Sequence, residues 1–160
     1  MSNRVFVSFQ EGLAEPEWAG TVEKFSLDVL SKLELDGEEV SVFFCNDDFI
    51  KNLNGEYRKI DDATDVLSFE NGDSYTDEDG REWLCAGDIV ISLDTLSKNA
   101  VYFEVGKDEE LKRLLVHGLL HLNGYDHGEE HIEKGVEPEC EMLKLQKKLM
   151  EYFSERTIGI

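Results

Sequence analysis

Along the chain the apolar positions change period several times, and each period predicts an element. Arg4–Phe9 (RVFVSF) alternates apolar and polar residues, the pattern of a short strand. From Glu17 to Leu35 the period lengthens. Trp18, Val22, Phe25, Val29, Leu30 and Leu33 recur at three- and four-residue steps, predicting an amphipathic helix. Val40–Cys45 (VSVFFC) is β-branched and aromatic, hence a strand. Asn46 then offers a side-chain oxygen as N-cap for a helix to Arg58, with Phe49, Ile50, Leu53 and Tyr57 on one face. Asp65–Phe69 (DVLSF) reads as a third strand. Glu70–Glu82 is polar and acidic with glycine turn signals, an exposed hairpin-like connection. Trp83–Ser92 follows as a fourth strand, with a kink expected at Gly87. Ser92 caps a predicted helix to about Val105; a longer helix runs from Asp108 to Asn123, and a last one from Glu137 to Glu155. Strands interleaved with helices and followed by consecutive helices predict an α+β fold. The expectation is a single domain over residues 1–160, with a small mixed four-stranded sheet packed with about five helices.

Composition narrows the class of protein. At 160 residues the chain is long enough to bury a core. With two prolines and no low-complexity linker, nothing divides it. No apolar run approaches the roughly 20 residues of a membrane span, and the start MSNRVFVSFQEG lacks the apolar stretch of a signal peptide. Cys45, Cys85 and Cys140 are odd in number and lack a C-x-x-C pair, so the chain is expected to be cytoplasmic, in a reducing compartment. The formal net charge of −20 excludes a generic basic nucleic-acid binder, whose affinity comes from Lys and Arg neutralising phosphates. The acid is uneven: residues 1–80 carry net −14 and residues 81–160 net −6. Lys144, Lys147 and Lys148 form one local basic cluster, and Lys51, Arg58 and Lys59 another.

Candidate chemistry concentrates in His117-Gly-Leu-Leu-His121-Leu-Asn-Gly124-Tyr-Asp-His127. His117 and His121 stand at i and i+4 on a predicted helix, so both rings leave one face a turn apart. Gly124 lies where the helix should end; it readily takes the left-handed conformation that turns the chain back and brings His127 to the pair. Three nitrogen ligands with an open position are the coordination of a catalytic zinc, although other divalent transition metals also suit imidazole. The spacing H-x-x-x-H-x-x-G-x-x-H is that of the metzincin proteases, but Gly118 stands where they carry the general-base Glu. The pattern therefore predicts metal-assisted hydrolysis of a bond other than a peptide. His131, in the charged stretch GEEHIEKG, reads as exposed; as a fourth ligand it would close the site.

The string HGLLHLNGYDH resembles the signature of the YbeY family of bacterial endoribonucleases. Two further segments agree in order: Leu53-Asn54-x-x-Tyr57-Arg58 followed by Asp61 and Thr64–Phe69 (TDVLSF), and Gly87–Ser92 (GDIVIS). Glu70 departs from the pattern, following LSF where many members have proline. The resemblance implies a metal-dependent, single-strand-specific endoribonuclease that hydrolyses phosphodiester bonds with a zinc-activated water. Its implied roles are rRNA maturation, at the 3′ end of 16S rRNA, and ribosome quality control. Implied partners are single-stranded RNA and the small ribosomal subunit or its assembly proteins. By the same resemblance His117, His121 and His127 bind one zinc ion, and Arg58, His117 and His121 are catalytic.

The residues alone leave alternatives open. The alternatives are a zincin-like hydrolase of another substrate class, against which Gly118 counts, and a non-catalytic metal-bearing module of ribosome assembly. Arg58 suits a bidentate clamp on a phosphoryl group, or an ordinary partner for Asp61, Asp62 or Asp65. Asp126 reads as an orienting group or a local cap of backbone amides, and Tyr125 as a stacking surface or a core residue. Asp65 and Asp88 are candidates to fix a ligand's tautomer. The oligomeric state is open.

Overall fold

The computed structural model describes residues 2–128, 132, 135 and 137–160. The predicted alternations form strands β1 (Arg4–Phe9), β2 (Glu38–Cys45), β3 (Val66–Glu70) and β5 (Glu82–Ser92), and a short strand, β4 (Ser74–Thr76), precedes the last. β1, β2 and β5 are parallel neighbours, whereas β3 and β4 both pair antiparallel with β5, along successive stretches of it. The sheet thus has five strands where four were expected. β4 escaped the periodicity because all its residues are exposed, leaving no apolar signal. Its hold is the ladder to β5 together with Tyr75, whose hydroxyl donates to Glu39 at 2.6 Å.

Five described helices accompany the sheet: α1 (Ala19–Lys32), α2 (Asp47–Arg58), α3 (Leu93–Phe103), α4 (Lys107–Leu122) and α5 (Glu141–Tyr152). The expected caps are in place: Asn46 accepts from the Phe49 amide at 2.9 Å, and Ser92 from the Thr95 amide at 3.3 Å. The last helix starts four residues after the predicted Glu137. Pro138 keeps Glu137 itself out of the helix, since the residue before a proline is pushed out of the helical region.

One sheet face carries Val40, Val42, Phe44, Ile89 and Ile91, packed against α1 and α4. The other face is partly covered by α2, whose Ile50 meets Cys45, Leu67 and Val90. α4 is the organising helix: Leu111, Leu114, Leu115, Val116, Leu119 and Leu120 are fully buried. Burial stabilises by roughly 1.5–3 kcal/mol per such side chain, so together these residues fix the helix's rotation about its axis. That rotation leaves the stripe Arg113, His117 and His121 as the partly exposed side of α4. Gly87 brings the sheet under this helix's end. It follows a bulge at Ala86, where β2 shifts register. Its φ is +145°, and a Cβ there would lie 2.1 Å from the Phe69 carbonyl oxygen, so only glycine fits.

Candidate metal centre and cleft

α4 ends as its sequence predicts. Gly124 has φ +89°; its amide donates to the His121 carbonyl at 3.2 Å, and the Tyr125 amide to that of Leu120 at 3.1 Å. This paired closure is a Schellman motif, and it swings the chain back over the helix's last turn. His127 is thereby carried to the two helical histidines. The ring centroids are 4.7 Å apart for His117 and His121, 5.3 Å for His117 and His127, and 5.2 Å for His121 and His127. One ligand atom from each lies within 4.8 Å of the others. Among the described residues no carboxylate or thiolate joins this group. His131 lies outside the described residues.

Burial favours the neutral form of the two helical rings. Burial pushes the His117 imidazole down to about 4, reinforced by His121, Arg113 and His127 and opposed by a hydrogen bond to Gln146. Burial likewise lowers His121, with His127 and Arg58 acting in the same sense and Asp126 and the Tyr125 backbone against it. A neutral imidazole is the form that donates a lone pair to a metal. The donor set of three nitrogen atoms on a shared, partly buried face thus fits a zinc-type ion.

The triad floors a cleft of about 820 Å³ that Arg58, Ser68, Glu70, Tyr102, Tyr125 and Asp126 also line. Arg58, the last residue of α2, reaches across β3: its Nη2 donates to the Ser68 carbonyl at 2.8 Å, and its guanidinium lies 5.6 Å from the Phe69 ring centroid. It meets that carbonyl rather than Asp61, Asp62 or Asp65, and the side chain remains exposed. The three histidines and Arg58 therefore border one cleft.

The acidic candidates separate. Asp65 borders the cleft but serves its wall: it accepts from the Val66 amide at 2.7 Å and from Asn99 at 2.9 Å, and pairs with Arg113 at 3.3 Å. Arg113 is bound in turn to Glu110, buried to 1% exposure, at 2.5 Å. Asp88 projects from the face of β5 opposite Ile89, away from α4, and is exposed. Neither is a partner of the histidines. Asp126 accepts from the Gly128 amide at 3.1 Å, the local capping role, and that bond draws its carboxyl below the ordinary value.

The residue that does touch a histidine is Gln146 on α5: its Oε1 lies 2.8 Å from His117 Nδ1. Sequence reading passed it over, although a signal exists. Met142, Leu143, Gln146 and Leu149 form the buried stripe of α5, and Gln146 is its polar member at 2% exposure.

A model of the endoribonuclease YbeY family matches residues 8–154 of the chain. The chain belongs to that family. It is 50% identical to the endoribonuclease YbeY of Treponema denticola over 161 aligned residues, covering 99% of this chain and 98% of the relative. The Aquifex aeolicus endoribonuclease YbeY is 37% identical, over 96% of this chain and 93% of its own. The solution structure of a Thermotoga maritima protein superposes with a TM-score of 0.60 at 28% identity, covering 94% of this chain and 90% of that one. Family membership thus joins the α+β fold and the cleft in a single frame.

Proposed function

We propose that this chain, as one hydrolase domain over residues 1–160, is a metal-dependent endoribonuclease that cleaves single-stranded RNA. The observation that carries the reading is the convergence of His117, His121 and His127 at the base of an open cleft bordered by Arg58. The relatives' shared name, endoribonuclease YbeY, supports RNA as the substrate class.

The three histidines would hold one zinc ion. When bound, zinc acidifies a coordinated water and polarises a phosphoryl oxygen, the chemistry that hydrolysis of a phosphodiester needs. The chain's own residues do the rest. The imidazoles present lone pairs in a fixed arrangement, two from successive turns of a clamped helix and one from the turn after it. Arg58, tethered at the Ser68 carbonyl, places a planar fork where negative charge grows on the phosphoryl oxygens. Tyr102 and Tyr125, 62% and 39% exposed on the cleft wall, offer ring faces on which unpaired bases stack. A duplex hides those base faces, so stacking favours single strands.

We further infer that the substrate is rRNA, at the 3′ end of 16S rRNA and in ribosome quality control, in the cytoplasm. The small ribosomal subunit or its assembly proteins would deliver it. No described helix is long and apolar enough to cross a membrane. The test is cleavage of a single-stranded RNA by the purified protein, with and without chelator, beside His121→Ala. Loss of cleavage in both treatments supports the reading, and cleavage that survives both overturns the metal mechanism. Metal binding without cleavage, even with ribosomal subunits present, would favour a non-catalytic assembly module.

A further inference from the structure

Gln146 poses a physical question. A buried amide side chain costs stability unless its polar atoms are paired, and its neighbours on the α5 stripe are apolar residues of similar size. Packing alone would be served by methionine or leucine. What the amide adds is a contact with one ring nitrogen of one histidine, across two helices, at 2.8 Å.

That contact decides which nitrogen of His117 carries the proton. A neutral imidazole has one N–H and one lone pair. The Gln146 Oε1 is an acceptor, so the nitrogen facing it, Nδ1, must be the donor, and the lone pair is left on Nε2. The reverse pairing, with the amide NH₂ donating to Nδ1, would put the proton on Nε2 and spoil the ring as a ligand through that atom. The bond also fixes the ring's rotation, because α4 and α5 are both anchored in the common core through Leu115, Leu119, Met142 and Leu149.

We infer that Gln146 is a positioning residue of the metal centre, holding His117 as the Nδ1–H tautomer so that Nε2 is presented to the ion. This rests on the metal-centre reading above and extends it to a residue outside the histidine motif. Partners of this kind typically change metal affinity 10–100-fold when removed.

The experiment uses the full chain with zinc or cobalt(II) as the probe. In metal-free wild-type protein, ¹⁵N NMR of the imidazole rings reports the His117 tautomer directly, and the expected form is Nδ1–H. Gln146→Met keeps the volume and removes the acceptor; its zinc affinity should drop by roughly 10-fold or more, with its circular dichroism unchanged. Gln146→Glu restores an acceptor and should return the affinity to within about 3-fold of wild type, inside the lower bound for losing such a partner. If the Met variant fails to fold, the wild-type tautomer still decides. An Nε2–H His117, or a folded Met variant with wild-type affinity, overturns the assignment while leaving the metal centre standing. Failure of the wild type to bind either ion overturns both readings.

Discussion

Gly118 and Ile89 meet where α4 crosses β5, and the contact explains the departure from the protease frame. A Cβ on Gly118 would lie 2.9 Å from both Cδ1 and Cγ2 of Ile89 and 3.0 Å from Cγ1. Three atoms of a β-branched side chain cannot all retreat, so the position after His117 is closed to the glutamate that metzincins carry there. Replacing glycine by alanine inside a helix gains up to about 1 kcal/mol of propensity, whereas overpacking a core costs about 1–3 kcal/mol. The second should win: Gly118→Ala is expected to lower stability by about 1–2 kcal/mol in urea unfolding, and a stabilised variant would contradict the packing account. Arg58 is exposed and meets the Ser68 carbonyl and the Phe69 ring from outside the fully buried core, so its replacement largely separates chemistry from stability. Arg58→Lys should leave the unfolding midpoint in place while slowing RNA cleavage roughly 10²-fold, because an ammonium cannot form the planar fork. Equal cleavage rates would remove Arg58 from the reaction. The histidine spacing was legible at this scale because i, i+4 geometry is local. Gln146 was not, because its partner is 29 positions away and no periodicity links them.

Between elements, the starts of α2 and α3 hold each other. Asp47 accepts from Ser92 at 2.6 Å, Thr95 at 2.5 Å and Lys98 at 2.8 Å, while its own amide donates to Asp94 at 3.0 Å. Burial opposes the Asp47 charge, but these hydrogen bonds, with the Lys98 charge, outweigh it and hold the carboxyl down at about 2. The folded value lies below the unfolded one, so this stabilisation is complete above about pH 4 and drains as pH falls towards 2. Asp47→Asn should therefore cost about 1–2 kcal/mol at pH 7, and the difference from wild type should shrink between pH 4 and 2.5 in chemical denaturation. A pH-independent difference would refute the assignment. Helix caps of this kind were readable from Asn46 and Ser92, whereas the bridge between two helix starts needed the parallel pairing of β2 with β5. β4 illustrates the limit: three exposed residues carry no pattern until β5 is beside them.

For the whole molecule, charge and cleft pull in opposite directions. The net charge is −20, and the cleft itself sets Arg58 and Arg113 against Asp65, Glu70 and Asp126, with Arg113 already paired to Asp65 and Glu110. One member of each basic cluster read in the sequence has an acidic partner: Lys147 pairs with Glu137, and Lys51 lies 3.9 Å from Asp61. Acidic residues outnumber basic ones 36 to 16, so free single-stranded RNA should bind weakly and lose affinity as salt rises. If Arg58 is one of the phosphate contacts, Arg58→Ala should flatten the slope of log K against log salt by about 0.7 in a fluorescence titration. Tight binding to naked RNA at physiological salt would contradict this and remove the need for ribosomal delivery.

The sequence by itself determined what short-range geometry dictates. It contained the order of strands and helices, the paired histidines on one helix face, the glycine that turns His127 back towards them, and the glycine that kinks β5. These follow from periods of two and 3.6 residues and from the conformations open to particular residues, so they need no distant partner. Only the tertiary structure decided that Arg58, ending a helix on the opposite face of the sheet, reaches past β3 into the histidine cleft. It also separated Asp65 and Asp88 from the histidines, and set Gln146 against His117. Each of those outcomes depends on how buried apolar surfaces pack against one another, and packing joins residues that lie far apart along the chain.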